Sequence, residues 1–199
     1  MDNNLIIHIL AGGASRRMGS DKKVLSLQGV AMLEWCGLTA ETLGVPVNVI
    51  TEDHRPEHGP LAGIETGLMH SSSTYHLFLS CDMPFISAQT LKDLITEVKQ
   101  HPKLACMEEG GRRGFPLIIA GSFQDFVKTQ LDEGRRSLYS LFHHIGSSVF
   151  AWNEEDRMES TNVNTPDEFS MAEQWVQLQN LQPPVLLRKA ELIKVDALE

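Results

Sequence analysis

A short apolar run near the start of the chain, LIIHIL, leads directly into a segment rich in glycine and basic residues, AGGASRRMGSDKK. An unbroken run of this length, Leu5–Leu10, is typical of a strand that is buried on both faces. Strands of that kind belong to parallel sheets that are covered by helices on both sides. The start of the chain therefore predicts an α/β fold whose first strand ends in a glycine-rich loop.

Strand and helix patterns alternate through the rest of the sequence. The β-branched stretch Val45–Thr51 and the apolar run His76–Ser80 predict two more buried strands. A helix with one apolar face is expected after Ser87, which is a favourable N-cap residue. Another is expected at TPDE, since Thr165 and Glu168 have the spacing of a capping box. The alternation predicts an α/β fold of three layers, with a mostly parallel central sheet.

Further elements are predicted in the second half of the chain. Leu104–Met107 and Pro116–Ala120 are expected to be strands on either side of a loop, EEGGRRGF. Ser122 is expected to cap the helix that follows. Beyond residue 182 the pattern is compatible with either a strand or a helix, so we expect one domain over residues 1–182 and a tail over 183–199.

The charge of the chain limits its partners. The 199 residues carry a formal net charge of -9, which argues against a general nucleic-acid or anionic-membrane surface. No apolar run approaches the roughly 20 residues of a membrane span, and the start of the sequence lacks the basic region of a signal peptide. We therefore expect a cytoplasmic protein with no nucleic-acid or membrane partner, in which the basic loop is a local feature.

Two predicted loops contain glycine, basic and acidic residues that could bind a phosphate-containing ligand. Ligands of such sheets bind outside the carboxyl ends of the strands, where Gly12 and Gly13 follow the first strand and Asp82 follows the third. If these strands are neighbours, Arg17 and Lys22 lie opposite a carboxylate, as a nucleoside triphosphate with Mg²⁺ requires. The glycine pair is also compatible with a plain tight turn, because GGASRRMG matches neither a Walker loop nor the dinucleotide fingerprint. The residues alone indicate a nucleotide or phosphate binder.

Four motifs resemble the molybdenum cofactor guanylyltransferase family, in the same order and over most of the chain: LAGGASRRMGSDK, HGPLAGIETGL, CDMPF and TNVNTPDEF. The opening signature matches in register at Leu10, Ala11, Gly12, Gly13, Ser15, Arg17, Met18, Gly19, Asp21 and Lys22. The resemblance implies a Rossmann-like nucleotidyltransferase fold and transfer of GMP from GTP to molybdopterin, with release of pyrophosphate. It also implies Mg²⁺ as cofactor and transient contact with cofactor-synthesis or molybdoenzyme-maturation proteins.

The resemblance also implies roles for individual residues. Arg17, Lys22 and Asp82 would be catalytic, with Asp82 as the metal ligand. The nucleotide would be bound by Leu10, Ala11, Gly12, Gly13, Lys22, Asp53, Gly59, Pro60, Leu61 and Asp82. CTP-specific relatives tend to have alanine at the position of Gly12 and to lack the GPLAG run, so the chain resembles the guanine version. Asn162 and Asn164 would either bind the substrate or tie down the loop before the last helix.

Two alternatives remain beside this interpretation. One is a related nucleotidyltransferase that uses CTP or another phosphate acceptor, such as a sugar phosphate. The other is a non-catalytic paralogue that binds nucleotide or cofactor. The chain departs from the family between Leu43 and Gly59, where one predicted strand stands in place of the usual two strands and a helix.

Overall fold

The computed structural model describes residues 4–12, 25–152 and 157–182, together with the backbone of residues 193–195. Its strands are β1 Leu5–Leu10, β2 Ser26–Leu27, β3 Val30–Ala31, β4 Val47–Ile50, β5 Tyr75–Ser80, β6 Leu104–Glu109, β7 Arg112–Ala120, β8 Ser148–Ala151 and β9 Ile193–Val195. Its helices are α1 Met32–Glu41, α2 Pro60–Met69, α3 Ala88–Gln100, α4 Gln124–Asp132, α5 Leu138–Ile145 and α6 Pro166–Leu178.

Most of the described strands form one sheet with the order β8-β6-β7-β5-β1-β4-β9. β1 lies in its centre and pairs in parallel with β4 on one side and with β5 on the other. β7 runs antiparallel to both of its neighbours, and the remaining pairs are parallel. The prediction of a mostly parallel central sheet is therefore confirmed.

Alternate residues of the central strands point to opposite faces of the sheet. On one face, Ile7 and Ile9 pack in a cluster with residues of α1 and α3. On the other face, Ile50 and Phe78 pack with residues of α2, α4 and α5. The sheet thus lies between two helical layers, which confirms the three-layer α/β prediction. None of the helices in the described part of the chain is long and apolar enough to cross a membrane.

The two predicted helix starts with side-chain caps are present. Ser87 accepts a hydrogen bond from the backbone N–H of Thr90 at 3.1 Å and begins α3. Thr165 and Glu168 form the expected capping box at the start of α6. Ser122, in contrast, does not cap α4, because residues 121–123 form a short 3-10 turn and Phe123 occupies the N-cap position. That prediction was wrong.

The predicted loop EEGGRRGF was also wrong, since most of it belongs to strands. Gly110 and Gly111 have φ angles of 56° and 79°, which suits the two-residue turns whose twist matches a hairpin. Glu109 pairs directly with Arg112 across this turn. The glycine pair therefore lets β6 and β7 continue almost to the tip of the hairpin.

The segment between Leu43 and Gly59 contributes one strand, β4, to the sheet. The other edge of β4 is paired with β9 from the tail, with Asn48 opposite Ile193. The tail, whose sequence left strand and helix open, thus adds a parallel strand beside the shortened segment. The division of the chain at residue 182 stays a prediction.

Candidate functional site

A cavity of about 1040 Å³ opens beyond the carboxyl ends of the central strands. Its size is at the upper end of the range for small-molecule sites. Its walls come from the ends of β1 and β5, the loop after β4, the start of α2 and the beginning of β7. The lining residues are Leu10, Gly12, Thr51, Glu52, Asp53, His54, Pro56, Glu57, Gly59, Pro60, Gly63, Ser80 and Phe115.

Strand register explains why these loops meet. Leu10 is paired with Ile50 on one side and with Ser80 on the other, so β1, β4 and β5 end at one level. Two further backbone bonds extend the ladder beyond the strands: Ala11 donates to Ile50 at 2.8 Å, and Cys81 donates to Leu10 at 3.1 Å. The expectation that the first and third predicted strands are neighbours is confirmed.

Asp53 lies in a narrow space between two glycines. A Cβ atom at Gly12 would be 3.6 Å from Asp53 Oδ1 and 3.3 Å from the carbonyl oxygen of Thr51. A Cβ atom at Gly63 would be 3.2 Å from the same Oδ1 and 3.1 Å from the methyl groups of Leu10. Burial raises the pKa of the Asp53 carboxyl. Because both positions are glycine, the partly desolvated Asp53 carboxylate, a hydrogen-bond acceptor, can lie close to the backbone at the cavity wall.

The start of α2 contributes a second feature of the wall. Gly59 is the N-cap residue and has a φ of 72°, and Pro60 follows at the first helical turn. The backbone N–H groups of a helix N-terminus carry partial positive charge and favour anions. A Cβ atom at Gly59 would be 3.2 Å from the carbonyl oxygen of Arg136, so the loop before α5 also reaches this corner. Arg136 was not predicted from the sequence, although it belongs to the basic pair that follows Gly134.

Asp82 lies just beyond the end of β5, two residues after Ser80, and is not among the residues that line the cavity. Its carbonyl oxygen accepts a hydrogen bond of 2.8 Å from the backbone N–H of Val163. The segment with Asn162 and Asn164 therefore packs directly against the turn of Asp82. The structure brings this predicted substrate-binding pair to the predicted metal ligand.

The local contacts of the two asparagines concern the loop itself. The backbone N–H of Asn164 donates to Glu168 Oε2 at 2.7 Å, which joins it to the capping box of α6. Asn162 Nδ2 lies 3.4 Å from the carbonyl oxygen of Ser160. These contacts hold the loop in place, and substrate binding by either side chain stays a prediction.

The other predicted residues fall into two groups. Ala11 and Leu61 are buried, so their side chains belong to the core. Gly13, Arg17 and Lys22 lie outside the described residues. In the described parts of the chain, no group of three or more His, Cys, Asp and Glu side chains is arranged to hold a metal ion. A single carboxylate would suffice for Mg²⁺ bound mainly through substrate phosphates and water.

A mostly parallel sheet with a ligand-sized cavity beyond the carboxyl ends of its strands is the arrangement in which open α/β proteins bind their ligands. Residues 7–148 match the family described as "MobA-like NTP transferase domain", and the chain belongs to that family. A molybdenum cofactor guanylyltransferase from Shewanella sp. (strain MR-4) is 26% identical over 179 residues, which cover 80% of this chain and 90% of the relative. A molybdenum cofactor guanylyltransferase from Rhizobium leguminosarum bv. trifolii is 28% identical over 193 residues, covering 85% and 91%.

Solved structures show the same fold. Molybdopterin-guanine dinucleotide biosynthesis protein A from Archaeoglobus fulgidus superposes with a TM-score of 0.74 at 19% identity, over 87% of this chain and 99% of that one. A nucleotidyl transferase from Methanothermobacter superposes with a TM-score of 0.71 at 16% identity, over 89% and 100%. At these identities the likeness establishes the architecture.

Proposed function

We propose that this protein transfers GMP from GTP to molybdopterin, with Mg²⁺ as the metal, and releases pyrophosphate. The observation that carries the proposal is the placement of Asp53 at the cavity wall, between Gly12 and Gly63. Guanine presents two N–H donors side by side on one edge, and a carboxylate can accept from both. Cytosine has an acceptor beside its donor and fits a carboxylate less well. Family membership and the guanylyltransferases among the relatives support the same substrate.

The phosphates would lie between the base and the acceptor. A phosphate oxygen of molybdopterin would attack the α-phosphorus of GTP, and the bond to the bridging oxygen of pyrophosphate would break. A phosphate monoester is already largely dianionic near neutral pH, so the step needs no general base. Catalysis then depends on positioning and on neutralising negative charge.

The chain has groups for both tasks. The N-terminus of α2 at Gly59 supplies backbone N–H groups at the cavity. Arg17 and Lys22 are proposed to neutralise phosphate charge, and Asp82 to hold the metal. The metal would supply further neutralisation of the triphosphate. Asn162 and Asn164, beside Asp82, are proposed to contact the acceptor. A cytoplasmic location and transient contacts with cofactor-synthesis or molybdoenzyme-maturation proteins remain part of the proposal.

The test is Mg²⁺-dependent pyrophosphate release with molybdopterin, measured with GTP and with CTP. We expect GTP to be preferred and Asp82→Asn to lower kcat by roughly 100-fold or more, because metal charge stabilises the transition state. Asp93→Asn is the matched control, since Asp93 is exposed on α3 and contacts Gln89. A preference for CTP would refute the choice of substrate. Full turnover in Asp82→Asn would remove Asp82 from the mechanism.

A further inference from the structure

Arg55 belongs to the loop that forms one wall of the cavity, but its own side chain does not line the cavity. Residues 51–59 form the loop between β4 and α2, and most of them face the cavity. Arg55 instead forms an ion pair with Glu65 of α2, with 2.9 Å between Nε and Oε2. Its Nη1 lies 2.6 Å from Asp132 Oδ1 at the end of α4. One side chain thus joins the loop to two helices.

The two contacts differ in kind: the pair with Glu65 is buried, whereas the contact with Asp132 is a hydrogen bond near the surface. The Glu65 side chain is 2% exposed, and Arg55 is its ion-pair partner within the described residues. Removing Arg55 would leave the Glu65 carboxylate buried without a compensating charge, which is costly. Asp132 is half exposed, and screening by water weakens its contribution. The planar guanidinium can serve both carboxylates at once, which an ammonium group cannot do as well.

The backbone beside Arg55 is tied to the same helix. The N–H of His54 donates to Thr66 Oγ1 at 2.8 Å, and this hydroxyl donates to the carbonyl oxygen of Ala62 at 2.9 Å. Asp53 immediately precedes these two anchored residues. Its carboxylate therefore has little freedom to leave the space between the two glycines.

We propose that Arg55 is a positioning residue that holds Asp53 and the cavity wall in place for the nucleotide, through Glu65 and Asp132. The inference rests on the proposed function, because it takes the cavity to be the nucleotide site. The wall needs such an anchor because residues 51–59 contain no helix or strand of their own. Arg55 is not among the residues that line the cavity, so the proposal assigns it no contact with nucleotide or metal.

The experiment separates positioning from stability with a pair of substitutions. Arg55→Met alone leaves Glu65 buried without its cation, and a lower Tm is expected. Arg55→Met with Glu65→Met replaces the pair by apolar side chains, which is often neutral for stability. We expect the double variant to regain the parent Tm. Its KM for Mg²⁺–GTP should rise by about tenfold while kcat stays within about twofold of the parent. This pattern indicates the loss of binding energy that the ground state and the transition state share.

A matched control shows what destabilisation alone does. Val98→Ala shortens a fully buried side chain of α3, on the opposite face of the sheet from α2. It should lower Tm and leave KM for Mg²⁺–GTP unchanged. Arg55→Lys keeps one positive charge and should have a KM between those of the parent and the double variant.

Hydrogen exchange at the His54 amide gives a readout that does not depend on activity. We expect faster exchange of this amide in the double variant than in the parent, at equal Tm. Parental exchange and parental KM in the double variant would overturn the inference. If the parent neither binds nor turns over Mg²⁺–GTP, the proposed function fails, and the His54 exchange rate still decides whether Arg55 fixes the wall.

Discussion

Protonation of the buried residue His8 should destabilise the fold as the pH falls. His8 lies in the middle of β1 and is fully buried, with its Nε2 3.0 Å from Nδ1 of His76. His76 Nε2 lies 3.0 Å from the carbonyl oxygen of Ser73, which can only accept, so His76 carries its proton on Nε2. His8 must then donate from Nε2 to His76 Nδ1. Both rings are therefore neutral in the folded protein.

The energetic cost of protonation follows from this arrangement. A proton added to His8 would sit on Nδ1, which is buried and has no hydrogen-bond partner among the described residues. Burial, followed by the neighbouring His76 and His70, lowers the pKa of His8 from 6.5 to about 3. Burial also lowers the pKa of His76. A histidine with a depressed pKa contributes stability that is present above its unfolded pKa and is lost as the pH falls towards its folded pKa.

The loss can be worked out for His8 alone. Between pH 6.5 and about 3, the unfolded chain binds one more proton at His8 than the folded chain. Each pH unit in this window lowers the free energy of unfolding by about 1.4 kcal/mol. From pH 7.5 to pH 5.0 the expected loss is about 2 kcal/mol, a large part of the stability of a typical domain.

Urea denaturation at pH 7.5, 6.0 and 5.0 measures this loss for the parent and for His8→Leu. We expect the variant to be less stable at pH 7.5, since His76 Nδ1 loses its donor, and to depend less steeply on pH by about one proton. Val98→Ala is the control, because it shortens a fully buried side chain and removes no titratable group; it should lower stability about equally at all three pH values. Equal slopes for the parent and His8→Leu would refute the neutral buried pair.

Two glycine substitutions test other parts of the site and the core. Gly12→Ala would place a methyl group 3.3 Å from the Thr51 carbonyl oxygen and beside Asp53. The variant should fold, and its kcat/KM for GTP relative to CTP should fall by roughly tenfold. An unchanged ratio in a competition assay would contradict a role of Gly12 in base choice. Gly67→Ala would place a Cβ 2.5 Å from Phe78 Cε1. It should cost about 1–3 kcal/mol in urea denaturation, and parental stability would contradict this packing.

The sequence predicted the central elements of the fold because their signals are local. The uninterrupted apolar run of β1 and the capping box at Thr165 each specify their element without help from distant residues. The two strands of the β6–β7 hairpin were predicted, but their extension to the tip was missed because charged side chains and glycines there are typical of a loop. Two glycines with positive φ form the turn, and pairing with the neighbouring strand extends β7 towards it.

The site was only partly visible in the sequence, for a related reason. A strand end and a glycine motif can be recognised along the chain, and this is enough to place Gly12 and Gly59 at the cavity. Contacts between distant residues cannot be recognised in this way. Arg55 and Asp132 are 77 positions apart, and neither belongs to a motif. The contact exists because α2 and α4 pack on the same face of the sheet.

The shortened segment before α2 connects these observations. The segment supplies a single strand, β4, whose outer edge would be exposed if nothing covered it. Exposed strand edges favour pairing with other chains. Here β9 from the tail pairs with that edge, while Arg55 and Thr66 attach the following loop to α2. The tail thus covers the β4 edge, and contacts with α2 hold the loop that follows β4. It follows that removing residues 183–199 should expose the β4 edge and promote self-association, which light scattering would detect. The contact of Arg55 with α2 does not involve the tail and should persist.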